Sequence, residues 1–325
     1  MSMSETTEAA AGESSWPDGP EAEPEARPDP SAEAEPLAPR PSLPPRPARR
    51  PRERTPMPPA VHAVAVSVFL LGALILGFFV YFYGLSGLAE QRDQTVLYKT
   101  FAGRLALATA PVGPAAQGSP VAIVAIPALG ISHLVVVEGT TSNDLTAGPG
   151  HLRSTVLPGQ GGVSVVFGRV AGFGAPFAHL MRLNRGDRIT VTTGQGVATY
   201  TVESFGTSAK PPPDHTANRL VLETGDNALV PQSAVEVSAD LISIVQPSPG
   251  GLPELSAPEN QLAGDPGDLD TLLLWSQALL FASVGATVAA NRWNRWATYL
   301  CATPVVLTLT WLIYENLAAL LPNLY

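Results

Sequence analysis

One cysteine, Cys301, occurs in this chain, and it falls inside a long apolar run rather than among polar or strand-forming residues. A thiolate is an intrinsically strong nucleophile, so a cysteine-free stretch from 85 to 270 removes thiol chemistry from that whole region. Four histidines, His133, His151, His179 and His215, lie in the same stretch, at spacings that match no metal-ligand pattern. His151 and His179 read as structural, and neither a metal nor a cofactor is expected. Arg169 has two readings: bidentate binding of a peptide carboxylate, or an ion pair with Glu223 or Asp226. Thr224 would act as a nucleophile only with a base beside it. A single cysteine also rules out an intramolecular disulfide. The formal net charge of −9 argues against non-specific nucleic-acid binding.

The elements that would carry these residues fall into unlike segments. Fifteen of the 33 prolines precede residue 61, where aliphatic residues are scarce. Such a segment cannot bury enough apolar surface to offset its ordering entropy, so residues 1–58 are expected to be a disordered tail. Its acidic part runs from Glu5 to Glu35, and Arg40, Arg46, Arg49, Arg50, Arg52 and Arg54 form a basic block behind it. The string Pro41-Ser42-Leu43-Pro44-Pro45-Arg46 fits a polyproline ligand pattern, which proline-rich composition also produces by chance.

Residues 61–83 form an apolar run long enough, at about 1.5 Å per helical residue, to cross a hydrocarbon core of about 30 Å. Runs 271–290 and 296–320 are of similar kind, joined by a polar turn holding Arg292 and Arg295. Arginines collect on the cytoplasmic side, and both markers point one way. The N terminus and the 291–295 turn are expected inside, and residues 85–270 and the C terminus outside. Ala282, Ala286 and Ala290, with Gly285 and Ala289 alongside, give the second span a small-residue face. That face suits either packing within the hairpin or a partner membrane protein.

Residues 85–118 read as a juxtamembrane helix and linker, and 246–270 as a second linker. Between them lie short β-branched runs at 121–126, 133–138, 162–167, 188–193, 198–205, 219–222 and 233–244, split by Gly and Pro. A short helix is expected at 175–183. The fold class is mainly β, a closed or sandwiched structure.

The order Ala125-Ile126-Pro127-Ala128-Leu129-Gly130, Val137-Glu138-Gly139-Thr140, 145–152 (LTAGPGHL) and Leu157-Pro158-Gly159 resembles the first half of a sortase domain, most nearly the actinobacterial class E type. Val165-Val166-Phe167-Gly168, Gly174-Ala175-Pro176-Phe177, Gly186-Asp187-Arg188-Ile189, Tyr200-Thr201-Val202 and Leu220-Val221-Leu222-Glu223-Thr224 continue it across 120–245.

The resemblance implies a sortase-like closed β-barrel outside the membrane, held by three transmembrane α-helices. It also implies a cysteine nucleophile, a histidine and an arginine. The histidine position holds Arg169, the cysteine position Gly225 and the arginine position Ala234, leaving Arg169, Glu223, Thr224 and Asp226 as a degenerate groove. The expectation is a catalytically inactive module in cell-surface protein attachment or assembly. Its partners would be the membrane and an active sortase or a cell-wall-directed protein. A cysteine-independent sortase is the alternative, an assembly cap over the spans a third reading, and the oligomeric state is left open.

Overall fold

The computed structural model describes residues 59–213, 216–292 and 295–325. The acidic and basic tail and the polyproline string lie outside the described residues, as does His215.

Helix α1 (Pro59–Val80) continues through a π turn at Tyr81–Leu85 into α2 (Ser86–Ala106). Eight strands follow: β1 (Pro120–Ile126), β2 (Ile131–Glu138), β3 (Gly150–His151), β4 (Val163–Phe167), β5 (Arg188–Thr193), β6 (Gly196–Thr207), β7 (Arg219–Gly225) and β8 (Ala234–Leu241). They close in the order β1-β2-β3-β4-β7-β8-β6-β5, with β5 pairing back to β1. A closed ladder leaves no sheet edge for another chain to pair with. Two helices end the chain, α3 (Leu269–Arg292) and α4 (Arg295–Ala319). Three helical stretches, Ala60–Ala106, Leu269–Arg292 and Arg295–Ala319, are long and apolar enough to cross a membrane.

The expected helix at 175–183 is not there. The chain makes only a 3-10 turn at Leu180–Arg182, and Phe173 and Ala175 take positive φ of 40° and 42°. Four successive left-handed residues, Gly172 to Ala175, turn the chain too sharply for helical hydrogen bonds to begin. The two-residue β3 also has no counterpart among the expected strands. Its bridging position between β2 and β4 is fixed by pairing and not by any apolar run.

Burial follows the pleat. In β5 and β6 buried and half-exposed residues alternate, as a strand with one covered face requires. In β7 and β8 burial is nearly continuous. One face of β4 and β7, through Val166, Leu220 and Leu222, enters the barrel core. The other, through Val165, Phe167 and Val221, packs outside it against Leu145, Ala234 and Leu324. Something must cover that second face, and part of the cover comes from beyond α4.

Helix α2 is tied to the barrel by Gln94. Its carboxamide donates to the Val135 and Ala147 carbonyls at 3.0 and 2.8 Å and accepts from the Val135 amide at 2.8 Å. An aromatic layer of Phe78, Tyr81, Phe82, Trp311 and Tyr314 joins α1, the π turn and α4 to Phe173 of the barrel. On α3, Ala282, Gly285, Ala286 and Ala289 line a cleft shared with Cys301 of α4. The small-residue face is therefore turned toward the hairpin's own partner.

Phe177 is fully buried in the core, and its ring lies so close to Gly168 that a Cβ there would overlap it. Phe177→Ala is expected to cost about 3–5 kcal/mol. The check is the denaturation midpoint of the detergent-solubilised chain; an unchanged midpoint would refute the packing.

Candidate functional site

Strands β4 and β7 run parallel, with Phe167 opposite Glu223, and the Gly168 amide donates to the Glu223 carbonyl at 2.9 Å. On the other side of β7, Gly225 pairs with Ala234 of β8. Arg169, after β4, therefore meets Gly225 and Ala234, at the facing ends of β7 and β8, at one corner of the barrel. Glu223 and Thr224 lead into it from β7.

Arg169 is fully buried. It forms an ion pair with neither Glu223 nor Asp226, which corrects that reading. Among the described residues the ion pairs are His151 with Glu138 and Arg153 with Glu259. Instead one terminal nitrogen of Arg169 donates to the carbonyl and hydroxyl of Ser142, both at 2.7 Å, and the other to the main-chain oxygen of Tyr325 at 3.0 Å. The guanidinium carbon lies 5.1 Å from the centroid of the Phe173 ring, a cation–π contact. Phe173 is held in its left-handed conformation by its amide, which donates to Ser86 Oγ at 2.8 Å. Desolvation pushes the Arg169 guanidinium down to about 9. A peptide-binding arginine needs open donors; both terminal nitrogens are engaged within the protein, and the buried Nε has no hydrogen-bond partner.

Asp226 is exposed and serves its own turn, accepting from the Gln232 amide and the Ser233 hydroxyl at 2.9 Å each. The Thr224 hydroxyl is buried and has no hydrogen-bond partner. It lacks the adjacent base that a hydroxyl nucleophile requires. His151 is walled in on the other side of the sheet path, its Nδ1 at 2.9 Å from Glu138 and its Nε2 at 2.9 Å from the Val156 carbonyl. It ties β3 to β2 and to the following loop. No three His, Cys, Asp or Glu side chains gather as metal ligands among the described residues.

The residues that complete this corner were not singled out in the sequence. Beyond α4 the chain turns at Pro322, with the Tyr325 amide donating to the Pro322 carbonyl at 3.0 Å. Asn323 and Leu324 are fully buried. The Asn323 carboxamide donates to the carbonyls of Thr140 and Asn260, each at 2.8 Å. Leu324 enters the outer pocket of β4 and β7, and its carbonyl accepts from the Val170 amide at 3.1 Å. The Tyr325 ring lies tilted against Phe82, centroids 5.3 Å apart, and its hydroxyl lies 3.0 Å from that of Tyr83.

A loop at 256–264, within the stretch read as linker, forms the facing wall. Its Glu259 carbonyl accepts from Thr140 Oγ1 at 2.7 Å, and its Gln261 donates to Glu223. A Cβ on Gly225 would stand 2.9 Å from Pro231 Cβ and 3.1 Å from both the Leu324 carbonyl oxygen and a Val170 methyl. Glycine at 225 is what lets these groups close up. The one sequence signal for this arrangement is a proline and an asparagine directly behind an apolar span.

Glu223 and Glu236 face each other across β7 and β8. Burial, and then the Glu236 carboxylate, push the Glu223 carboxyl up to about 8, against the opposing effect of the Gln261 hydrogen bond. Burial raises Glu236 as well. A carboxyl with a higher pKa in the folded chain than in the unfolded one holds its proton more tightly when folded. This contribution to stability is complete below the unfolded value, declines as pH rises through the interval, and is gone above about 8. Glu223 can contribute a slope of up to about 1.4 kcal/mol per pH unit across that window. Glu223→Gln, neutral throughout, is expected to flatten the pH dependence of the denaturation midpoint; an equally steep profile in the variant would contradict the assignment.

Comparison with known proteins bears on this geometry. Residues 124–229 match the family model of the sortase domain. Among solved structures, a Clostridium perfringens sortase D5 transpeptidase is similar at 20% identity and a TM-score of 0.39, covering 47% of this chain and 99% of that one. Sortase E from Streptomyces avermitilis is similar at 27% identity and a TM-score of 0.35, over 40% of this chain and 91% of that one. Sortase A from Corynebacterium diphtheriae is similar at 18% identity and a TM-score of 0.35, over 53% and 94%. A search of curated proteins found no match. The stretch that matches the sortase-domain model, residues 124–229, falls within the closed eight-stranded barrel.

Proposed function

We propose that this chain is a membrane-anchored sortase-domain protein that does not catalyse transpeptidation. Its barrel acts outside the membrane as a binding or scaffold module in the attachment or assembly of cell-surface proteins. The observation that carries the reading is Gly225. The position that the resemblance assigns to the nucleophile has no side chain, and neighbouring atoms at 2.9 and 3.1 Å leave little space for one. Arg169 in place of the histidine supports it, since a guanidinium is a poor proton acceptor. Ala234 in place of the arginine removes a charge that would stabilise an oxyanion. Cys301, on α4 in the cleft toward α3, belongs to the membrane hairpin.

The orientation in this proposal follows from charge and span order: N terminus cytoplasmic, residues 85–270 and the C terminus extracytoplasmic. An active sortase or a wall-directed protein is the proposed partner.

Incubation of the purified chain with a sorting-signal peptide and an amine acceptor is expected to yield neither a covalent adduct nor a cleaved peptide by mass spectrometry. Either product would overturn the proposal in favour of a cysteine-independent sortase, and loss of that product in Thr224→Ala would name the nucleophile. Gly225→Cys is expected to remain inactive, because the thiol would have no base and little room. In a Cys301→Ala background, single cysteines placed in 85–270 are expected to react with a membrane-impermeant maleimide on intact cells. A cysteine at Arg292 is expected to stay protected, and the reverse pattern would invert the topology.

A further inference from the structure

Residues 323–325 sit in the corner of the barrel as a ligand sits in a receptor. Each side chain has its own seat: carbonyls of Thr140 and Asn260 for the Asn323 carboxamide, an apolar pocket for Leu324, and an aromatic wall with the Tyr83 hydroxyl for Tyr325. The main chain is read as well. The Asn323 amide donates to the Ala263 carbonyl at 2.9 Å, and the Leu324 and Tyr325 oxygens accept from the Val170 amide and Arg169. Yet the segment contributes no strand, for the barrel closes through eight strands that all precede residue 242. It is a turn, closed by the Tyr325 amide and Pro322 carbonyl, delivered to the groove by the last membrane helix.

We infer that the groove is a peptide-binding site closed in cis, whose resident ligand is residues 323–325 and which accepts a short peptide turn carrying a carboxamide, an aliphatic and an aromatic side chain in succession. The inference rests on the non-catalytic reading of the same corner and names the class of ligand that corner takes. A partner peptide of this chemistry gains entry when the resident turn leaves. While the resident turn stays, the apparent affinity for any other peptide falls by the fraction of chains that are open.

The test uses the full chain in detergent and a fluorescent, end-blocked Leu-Pro-Asn-Leu-Tyr peptide. Leu324→Asp drives the resident turn out by placing a charge in an apolar pocket, and Asn323→Ala is the milder second variant. Fluorescence polarisation is expected to show both variants binding the peptide about tenfold or more tightly than the unaltered chain. Hydrogen exchange is expected to show the Val170 amide losing protection in the variants and regaining it with peptide, while β5 and β6 stay protected throughout.

Three results would each overturn the inference. One is a folded variant that fails to bind, and another is equal binding by the unaltered chain. The third is loss of protection across β5 and β6 in both variants, which would make the turn part of the barrel core. Mass spectrometry of the recovered peptide separates the two readings: a cleaved peptide sinks the non-catalytic one and leaves the binding result to stand or fall alone.

Discussion

Strands β4 and β7 have apolar residues on both faces, and only one face can point into the barrel. Val165, Phe167 and Val221 would otherwise meet water beside the site where the sortase resemblance places its chemistry. Burying a side chain such as Leu324 against them contributes about 1.5–3 kcal/mol, and the two hydrogen bonds donated by Asn323 about 0.5–1.5 kcal/mol each. Together these are comparable to the cost of ordering three residues at about 1–2 kcal/mol apiece. Through this cover the barrel, the 256–264 loop and helix α4 are fastened at one point.

The same cover explains Arg169. A fully buried guanidinium is costly unless its donors are met, and here Ser142 twice, a main-chain oxygen of Tyr325 and the Phe173 ring share the work. Two of these partners depend on local backbone geometry, the left-handed Phe173 and the turn at Pro322. Arg169 thus fills the corner and links β4, the loop after β2 and the chain beyond α4. It works as a fastener within the protein, where a histidine at this position would have had only a small polar ring to offer.

Much of the architecture was legible along the chain because it follows local periodicity. The apolar runs mark three helices, and β-branched segments broken by Gly and Pro mark most of the strands. What could not be read this way were elements with no period of their own: the two-residue β3, fixed only by its neighbours, and the 172–175 turns that replace the expected helix. Arg169 was visible as an anomaly, but its partners were not. Serine hydroxyls and main-chain oxygens carry no charge pattern by which a sequence could single them out.

Taken alone, the amino-acid order determined that no thiol lies between residues 85 and 270, that three segments are apolar enough to span a membrane, and that the middle of the chain is built from strands. Those are properties of composition and spacing, and folding cannot change them. Only the tertiary structure decided that the corner holding Arg169, Gly225 and Ala234 is filled by residues 323–325. The physical reason is that contacts between residues more than 150 positions apart depend on how the barrel closes and where α4 leaves it.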